Sequence, residues 1–137
     1  PDGFFKFEDP ISEGSLTSIY APRLTGTQSL DIFISDNPNL PSVDLCALME
    51  ARSVDIFRNR ELVDVKLSEL TTVAAFLGID NNDSLEQLSL PKLNTTDKLS
   101  IRDNENLVGI SMPVLETSSN QFWVLRNPAL QTLCAPN

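Results

Sequence analysis

Apolar residues recur along the chain in columns that lie about 23 residues apart, a period typical of solenoid repeats. An asparagine stands three positions before one leucine of almost every unit. Within each unit, apolar positions alternate with polar ones, which is typical of short strands that bury one face. The recurring leucines are Leu16, Leu40, Leu62, Leu85, Leu107 and Leu130.

One block of each unit has a constant length, so all length variation falls in a single loop. The separation of Ile32 from Leu48 is the same as that of Leu99 from Leu115. A solenoid accepts insertions in this way, on one face. Because a unit of this length has no room for an ordinary helix beside two strands, the pattern predicts an all-β, right-handed parallel β-solenoid. We expect coils of about 23 residues with three short strands per coil.

The asparagine column has a structural explanation. Asparagine tolerates the left-handed or turn conformation that a sharp bend requires. An inward amide both donates and accepts hydrogen bonds, so stacked asparagines can join neighbouring coils. The sequence therefore predicts a structural ladder formed by Asn37, Asn59, Asn82, Asn104 and Asn127.

The repeat register divides the chain into two parts. Residues 1 to 15 lie outside it, and we expect them to form an N-terminal cap or linker in which Phe4, Phe5 and Phe7 cover the first coil. Residues 16 to 137 form the solenoid. Since the sequence stops in register, partway through a coil, we expect the solenoid to continue or to be covered by another chain beyond residue 137.

Several units resemble the receptor L-domain repeat, a relative of the leucine-rich repeat. The resemblance is carried by IFISDNPNLPSVDLCAL (residues 32 to 48), LSIRDNENLVGISMPVL (residues 99 to 115) and FWVLRNPALQTLCAP (residues 122 to 136). It implies a domain of the kind found in the ligand-binding regions of growth-factor receptors and in fungal wall proteins. It assigns no binding residue, because those residues differ between members of the family. Members usually have disulfide-bonded caps, which this chain lacks.

Composition excludes several functions. A formal charge of −9 disfavours nucleic acid and anionic lipid as partners. The longest apolar run, residues 73 to 79, is too short to cross a membrane. With no histidine and with scattered glycines, the chain offers no Ser-His-Asp triad, no ordinary zinc site and no phosphate loop. We therefore expect no enzymatic activity and no cofactor.

One acidic group leaves alternatives open. It contains Asp80, Asp83, Asp103 and Glu105, with Arg58, Arg102 and Arg126 beside it. A solvated acidic corner, partly neutralised by the arginines, is the favoured interpretation. These oxygens are also weak candidates for a calcium site. Alternatively, a carboxylate pair would serve acid and base steps in a carbohydrate-active β-helix enzyme.

Cysteines and sequons give two further expectations. Cys46 and Cys134 lie four coils apart, on the order of 19 Å, so no bridge between them is predicted. Cys46 is expected to fill a corner and Cys134 to point outward. Of the two Asn-X-Ser/Thr sequons, Asn82 belongs to the inward column, whereas Asn94 opens the variable loop and is the predicted glycosylation site.

Outward positions complete the functional hypothesis. One outward column reads Phe33, Asp55, Gly78, Ser100 and Trp123, and its mixed composition disfavours a regular lattice as partner. We expect Phe33, Phe57 and Trp123 to contact a partner. The sequence favours a non-enzymatic recognition or structural module, extracellular or at the cell surface, that binds protein or carbohydrate. The alternatives are a carbohydrate-active enzyme and an extracellular filament subunit that stacks end to end.

Overall fold

In the computed structural model, the described residues are 3–8 and 16–136, apart from the side chains of residues 7 and 8. These residues contain strands and turns and no helix. The strands are β1 (Gly3–Glu8), β2 (Ile19–Tyr20), β3 (Leu30–Ser35), β4 (Ser42–Asp44), β5 (Glu50–Phe57), β6 (Asp64–Lys66), β7 (Thr72–Asp80), β8 (Gln87–Ser89), β9 (Thr95–Arg102), β10 (Gly109–Ser111), β11 (Thr117–Leu125) and β12 (Thr132–Cys134).

All strand pairs are parallel, and each strand pairs with its counterpart one coil away. The odd-numbered strands form a six-stranded sheet in the order β1-β3-β5-β7-β9-β11, which we call the long sheet. The even-numbered strands form two three-stranded sheets, β2-β4-β6 and β8-β10-β12, which we call the short sheets. This arrangement confirms the predicted parallel β-solenoid and the coil length expected from the repeat.

Each complete coil contains one long strand and one short strand, so the prediction of three short strands per coil was wrong in this detail. Two of the predicted strands are continuous. In β5 and β7 the pairing runs from Ala51 opposite Val73 to Ser53 opposite Phe76, with a register shift between them. An extra residue of this kind bends a strand without ending it. The bend turns the chain at a corner where a break between two strands was expected.

The core is a narrow stack of aliphatic side chains from both kinds of sheet. In β3, burial alternates along Leu30, Ile32 and Ile34, with Asp31 and Phe33 on the other face. The recurring leucines of the complete coils are fully buried. Parallel strands can have this alternation here because only one face of each sheet packs on the core.

The asparagine ladder is present. Asn37, Asn59, Asn82 and Asn104 are completely buried. The Oδ1 atom of Asn82 accepts hydrogen bonds from the backbone N–H and the side-chain amide of Asn59, both at 3.2 Å. The Nδ2 group of Asn82 donates to the carbonyl oxygens of Ile56 at 2.9 Å and Asp80 at 3.2 Å. One amide therefore joins two coils and satisfies backbone groups that would otherwise be buried without partners.

Each asparagine begins a turn, one of the two forms predicted, as in the hydrogen bond from the backbone N–H of Leu40 to the carbonyl of Asn37, whereas the left-handed backbone conformation does not lie at the asparagines themselves. It lies one residue earlier, with φ between 52° and 57°, at Asp36, Arg58, Asn81, Asp103 and Arg126. The strained residue points to solvent, so almost any polar side chain is accepted there. The asparagine is needed at the next position because only its amide can serve the buried corner.

The two ends of the solenoid differ. At the N-terminal end, β1 pairs with β3, and Phe5 packs against the core while Phe4 is exposed. The side chain of Phe7, also expected to cover the first coil, lies outside the described residues. In the last described coil, Phe122 and Leu133 occupy inward columns but are 41% and 46% exposed. The cover expected for this end, from further coils or from another chain, stays a prediction. The alternative of end-to-end stacking also stays a prediction.

We expect Asn82→Ala to lower the free energy of unfolding by about 3 kcal/mol, because it removes four side-chain hydrogen bonds and leaves buried backbone groups unpaired. The control is Asn106→Ala, since the amide of Asn106 donates only one exposed hydrogen bond, to Asp83. Urea denaturation of both variants measures the difference. Equal, small losses would show that the ladder is not needed for stability.

Candidate functional site

The outer face of the long sheet carries the most chemically varied side chains of the described residues. Its register places three rows side by side, each crossing the strands from β3 to β11. The central row is Phe33, Asp55, Gly78, Ser100 and Trp123, as expected from the sequence. The flanking rows are Asp31, Ser53, Phe76, Lys98 and Gln121 on one side and Ser35, Phe57, Asp80, Arg102 and Leu125 on the other.

A hollow of about 230 Å³ lies on this face. We call it the Gly78 hollow because two of its lining residues, Asp55 and Phe76, have side-chain atoms directly over that glycine. A Cβ atom at residue 78 would lie 2.5 Å from Cε1 of Phe76 and 2.7 Å from Oδ1 of Asp55, both too close. The missing side chain lets the ring and the carboxylate lean over the backbone. The hollow is lined by Asp55, Phe57, Phe76, Asp80, Asn81 and Arg102.

Both carboxylate oxygens of Asp80, in this hollow, accept hydrogen bonds. Its oxygens accept hydrogen bonds from the hydroxyl of Ser100 at 3.0 and 3.1 Å and from the backbone N–H of Arg102 at 2.9 Å. The guanidinium of Arg102 adds an ion pair at 2.9 Å. Asp80 is buried and Arg102 is half-buried, so this pair is a structural unit whose charges cancel.

The carboxylate of Asp55, unlike that of Asp80, lacks a hydrogen-bond donor among the described residues. Asp55 is half-buried. Burial and, to a lesser extent, the negative charge of Asp80 raise its pKa from the ordinary 3.8 to about 6, while Arg102 opposes the shift. Asp55 is therefore an ionisable group with a destabilised charge in a hollow that is open to solvent.

Aromatic and cationic side chains surround the hollow. Phe33 and Phe57 meet edge to face with ring centroids 5.0 Å apart. The guanidinium of Arg58 lies 4.9 Å from the Phe57 centroid, and that of Arg102 lies 5.7 Å from the Trp123 centroid. Such distances are typical of cation–π contacts. The structure thus brings the three predicted contact residues, Phe33, Phe57 and Trp123, onto one face, and Trp123 is 41% exposed.

The four calcium candidates are not brought together. Asp80 belongs to the hollow, whereas Asp103 lies at the exposed corner and pairs with Arg126 at 2.5 Å. Hydrogen bonding to Arg126 lowers the pKa of Asp103. Asp83 is half-buried and Glu105 is exposed. Within residues 3–8 and 16–136, no three His, Cys, Asp or Glu residues are placed to hold a metal ion. The described structure therefore does not assemble these four residues into one group.

The sequons and cysteines lie away from the hollow. Asn82 is completely buried, so the structure supports its exclusion as a glycan site. Asn94 is partly exposed, and its Nδ2 makes only a long contact of 3.4 Å to the carbonyl of Val114. Both cysteines are free, as predicted, and Cys134 is exposed. Cys46 is half-buried, and a hydrogen bond to Asp44 raises the pKa of its thiol.

Two larger hollows lie near β1. One, of about 420 Å³, is bordered by Asp31 and Arg52, which form an ion pair, and the other, of about 270 Å³, is lined by Leu24, Gly26 and their neighbours. Both also border Gly3, close to residues that the structure does not describe. Neither combines an unpaired ionisable group with aromatic walls. The Gly78 hollow is therefore the candidate site.

Comparisons with protein-family models, curated proteins and solved structures find no match for the chain. The fold defines its class as a parallel β-solenoid protein with an asparagine ladder. No helix among the described residues is long and apolar enough to cross a membrane.

Asp55 and Phe76 were not among the candidate residues chosen from the sequence. The outward column already placed Asp55 next to Gly78, and a glycine between larger residues on a sheet was the available signal. The alternation of the strand places Phe76 on the outer face, one position before the buried Leu77. The sequence does not show that its ring lies over Gly78 beside Asp55, and that contact is what brings it into the site.

We expect Asp55→Asn to raise the free energy of unfolding at pH 7 by about 1 kcal/mol, a value reduced for solvent screening. The folded-state pKa is raised, so the stability that Asp55 contributes is full below pH 3.8 and is lost as pH rises through about 6. The advantage of the variant should therefore disappear near pH 4. Urea denaturation at pH 4 and pH 7 measures it.

Asp64→Asn is the matched control, because Asp64 lies exposed on β6 and carries the same charge. It should leave stability nearly unchanged between the two pH values. If Asp55→Asn behaves like Asp64→Asn, the carboxylate in the hollow is not strained.

Proposed function

We propose that this chain is a non-enzymatic recognition module of an extracellular or cell-surface protein, and that it binds a protein partner through the outer face of the long sheet. The resemblance of its repeats to the receptor L domain supports the class. The observation that carries the proposal is Asp55, a half-buried and unpaired carboxylate between aromatic side chains on an accessible sheet face.

Asp55 has no role in stabilising the solenoid. Two other shielded carboxylates of the long sheet are paired, Asp80 with Arg102 and Asp31 with Arg52. An unpaired carboxylate with a raised pKa lowers stability at neutral pH. Strained and destabilising groups cluster at functional sites, because binding compensates for them. The neighbouring rings of Phe57 and Phe76 supply the apolar area that a protein contact requires.

A carbohydrate-active enzyme is the second candidate, since two carboxylates in different environments share one hollow. The contacts of Asp80 argue against it. Both of its oxygens already accept hydrogen bonds from Ser100 or Arg102, so neither is available to activate water or attack a sugar. Asp55 is left as a single acid where the reaction uses two carboxyl groups. Release of reducing ends from acidic or neutral polysaccharides that is lost in Asp55→Asn would overturn the binding proposal.

We expect peptides selected from a random phage-displayed library on the immobilised chain to bind the outer face of the long sheet. Phe57→Ala and Trp123→Ala should each weaken the selected peptides by tenfold or more, because truncated aromatic anchors at an interface centre cost at least about 1.4 kcal/mol. Biolayer interferometry on wild type and variants measures the loss, after urea denaturation has confirmed that each variant is folded.

Tyr20→Ala is the control for this experiment. Tyr20 is an exposed aromatic residue on β2, in a short sheet, and its truncation should leave peptide binding unchanged. Peptides that lose affinity for Tyr20→Ala, but not for the other two variants, would place the binding surface on the opposite side of the solenoid.

The proposed extracellular location gives a separate expectation. The intact mass of the protein from its natural source should fall on removal of N-glycans, with Asn94 converted to aspartate and Asn82 unmodified. In a secreting eukaryotic host, Thr96→Val should abolish the glycan, whereas Thr96→Ser should keep it, because only the latter preserves the sequon. A natural protein without glycan at Asn94 would contradict the predicted modification.

A further inference from the structure

We propose that the Gly78 hollow receives a cationic side chain, lysine or arginine, from the protein partner, with the positive group against Asp55 and the alkyl stem against the rings of Phe57 and Phe76. The inference rests on the proposed function and names the chemistry that this surface recognises. It follows from the charge, the shape and the lining of the hollow.

The charge balance of the hollow is negative. Of its lining residues, Asp55, Asp80 and Arg102 are charged, and Asp80 and Arg102 form an ion pair at 2.9 Å. Arg102 also attracts Asp55, but it is the one cation among these lining residues and is bonded to Asp80, so the hollow has one more negative than positive charge. An added cation near a half-buried carboxylate gains more than it would at a fully solvated one, because the local dielectric is lower. The formal charge of −9 over the chain also favours the approach of a basic partner.

The size and lining of the hollow favour an organic cation over a metal ion. Its volume of about 230 Å³ is several times the roughly 30 Å³ that one water molecule occupies in the liquid. Calcium requires six to eight oxygen ligands, and the only carboxylate here without donors is Asp55. A sugar would require several directed hydrogen-bonding groups. The hollow instead presents one anionic group beside two aromatic rings, which fits an alkylammonium or alkylguanidinium group.

The same face already shows this chemistry within the chain. Arg58 lies over the ring of Phe57, and Arg102 lies over the ring of Trp123. Phe76 has no such cation over it among the described residues, although it lies beside Asp55. Phe76 and Asp55 together therefore provide a position for a cation that no residue of the described chain fills.

Binding should depend on pH, because only the ionised form of Asp55 attracts a cation. The groups that face Asp55 are Phe33 from β3, Gly78 and Asp80 from β7, and Arg102 from β9. Burial and Asp80 raise the pKa of Asp55 to about 6, so affinity should decrease as pH falls through that value.

The test uses Nα-acetyl-lysine methylamide as probe and follows backbone amides by two-dimensional NMR. The probe should shift the amides of Asp55, Gly78 and Asp80 with a millimolar Kd at pH 7.5. The norleucine analogue, which has a methyl group in place of the aminomethyl group, should bind at least tenfold more weakly. At pH 5 the lysine probe should bind severalfold more weakly than at pH 7.5, up to a limit of about tenfold, because about a tenth of Asp55 is then ionised.

Three variants, one of them a control, distinguish binding in the hollow from a general effect of surface charge. Asp55→Asn should weaken the lysine probe at least tenfold and remove the pH dependence, and Asp64→Asn should do neither. Phe76→Leu keeps the apolar bulk and removes the ring, so it should weaken the lysine probe severalfold. Asp55→Asn removes a destabilising charge, so it is expected to fold.

Three results would overturn the inference: equal binding of the lysine probe to wild type and Asp55→Asn, equal binding of the norleucine and lysine probes, or shifts of the same amides by calcium chloride alone. None of these results contradicts the proposed function if the selected peptides still lose affinity for Phe57→Ala and Trp123→Ala. If the peptides bind those two variants as tightly as wild type, the proposed function is contradicted even when the lysine probe binds.

Discussion

The structure depends on satisfying buried backbone groups at one corner of every coil. A parallel solenoid turns its chain sharply while keeping the corner dry, and each turn would leave N–H and C=O groups without partners. An asparagine amide solves this because it has both donors and an acceptor in a short side chain. In this chain Asn104 does so by donating to the carbonyl of Ile79 at 2.8 Å and by bonding to Asn127. The strand spacing, the register of both kinds of sheet and the alternation of the core follow once these corners are fixed.

The sequence predicts the parts of the fold that repeat. The asparagine column, the block of constant length and the alternation around residues such as Ile32 and Ile34 each require the same geometry in every coil. A pattern repeated several times averages out exceptions, so even a weak local preference becomes decisive. The backbone geometry within a coil was less predictable, although it also recurs. The left-handed residue precedes the asparagine by one position in each coil, and a register shift merges two expected strands into one, because the apolar pattern reports burial and not backbone angles.

The candidate site is harder to predict because it depends on how residues differ between coils. Phe33 and Trp123 were selected as exposed aromatics, and both lie on the outer face of the long sheet. The acidic group was selected by closeness along adjacent coils, yet Asp80 points into the hollow while Asp103 points to the corner. Asp80 and Asp103 therefore lie in different rows along the solenoid as well as in different coils. Asp55 became a candidate only when the rows showed which neighbours fill the space over Gly78.

The outer face of the long sheet also shows how a solenoid separates stability from recognition. The inward residues of the long sheet must pack against the same column in the neighbouring coils. The outward rows need not repeat one residue type from coil to coil. Ser100 and Arg102 serve Asp80 locally, so their identities matter for one coil only. A residue such as Asp55 can therefore be unfavourable for folding without disturbing the coils on either side.

The ladder has a direction that bears on how the chain acquires its structure during synthesis. The backbone N–H groups of Asn37, Asn59 and Asn82 each donate to the side-chain oxygen of the asparagine one coil later. A coil emerging from a ribosome is therefore completed only when the following coil has been made. N-terminal coils are finished first, and the unfinished corner moves along the chain with translation. Such a protein can assemble by vectorial addition, one coil at a time, with little need for contacts between distant parts of its sequence.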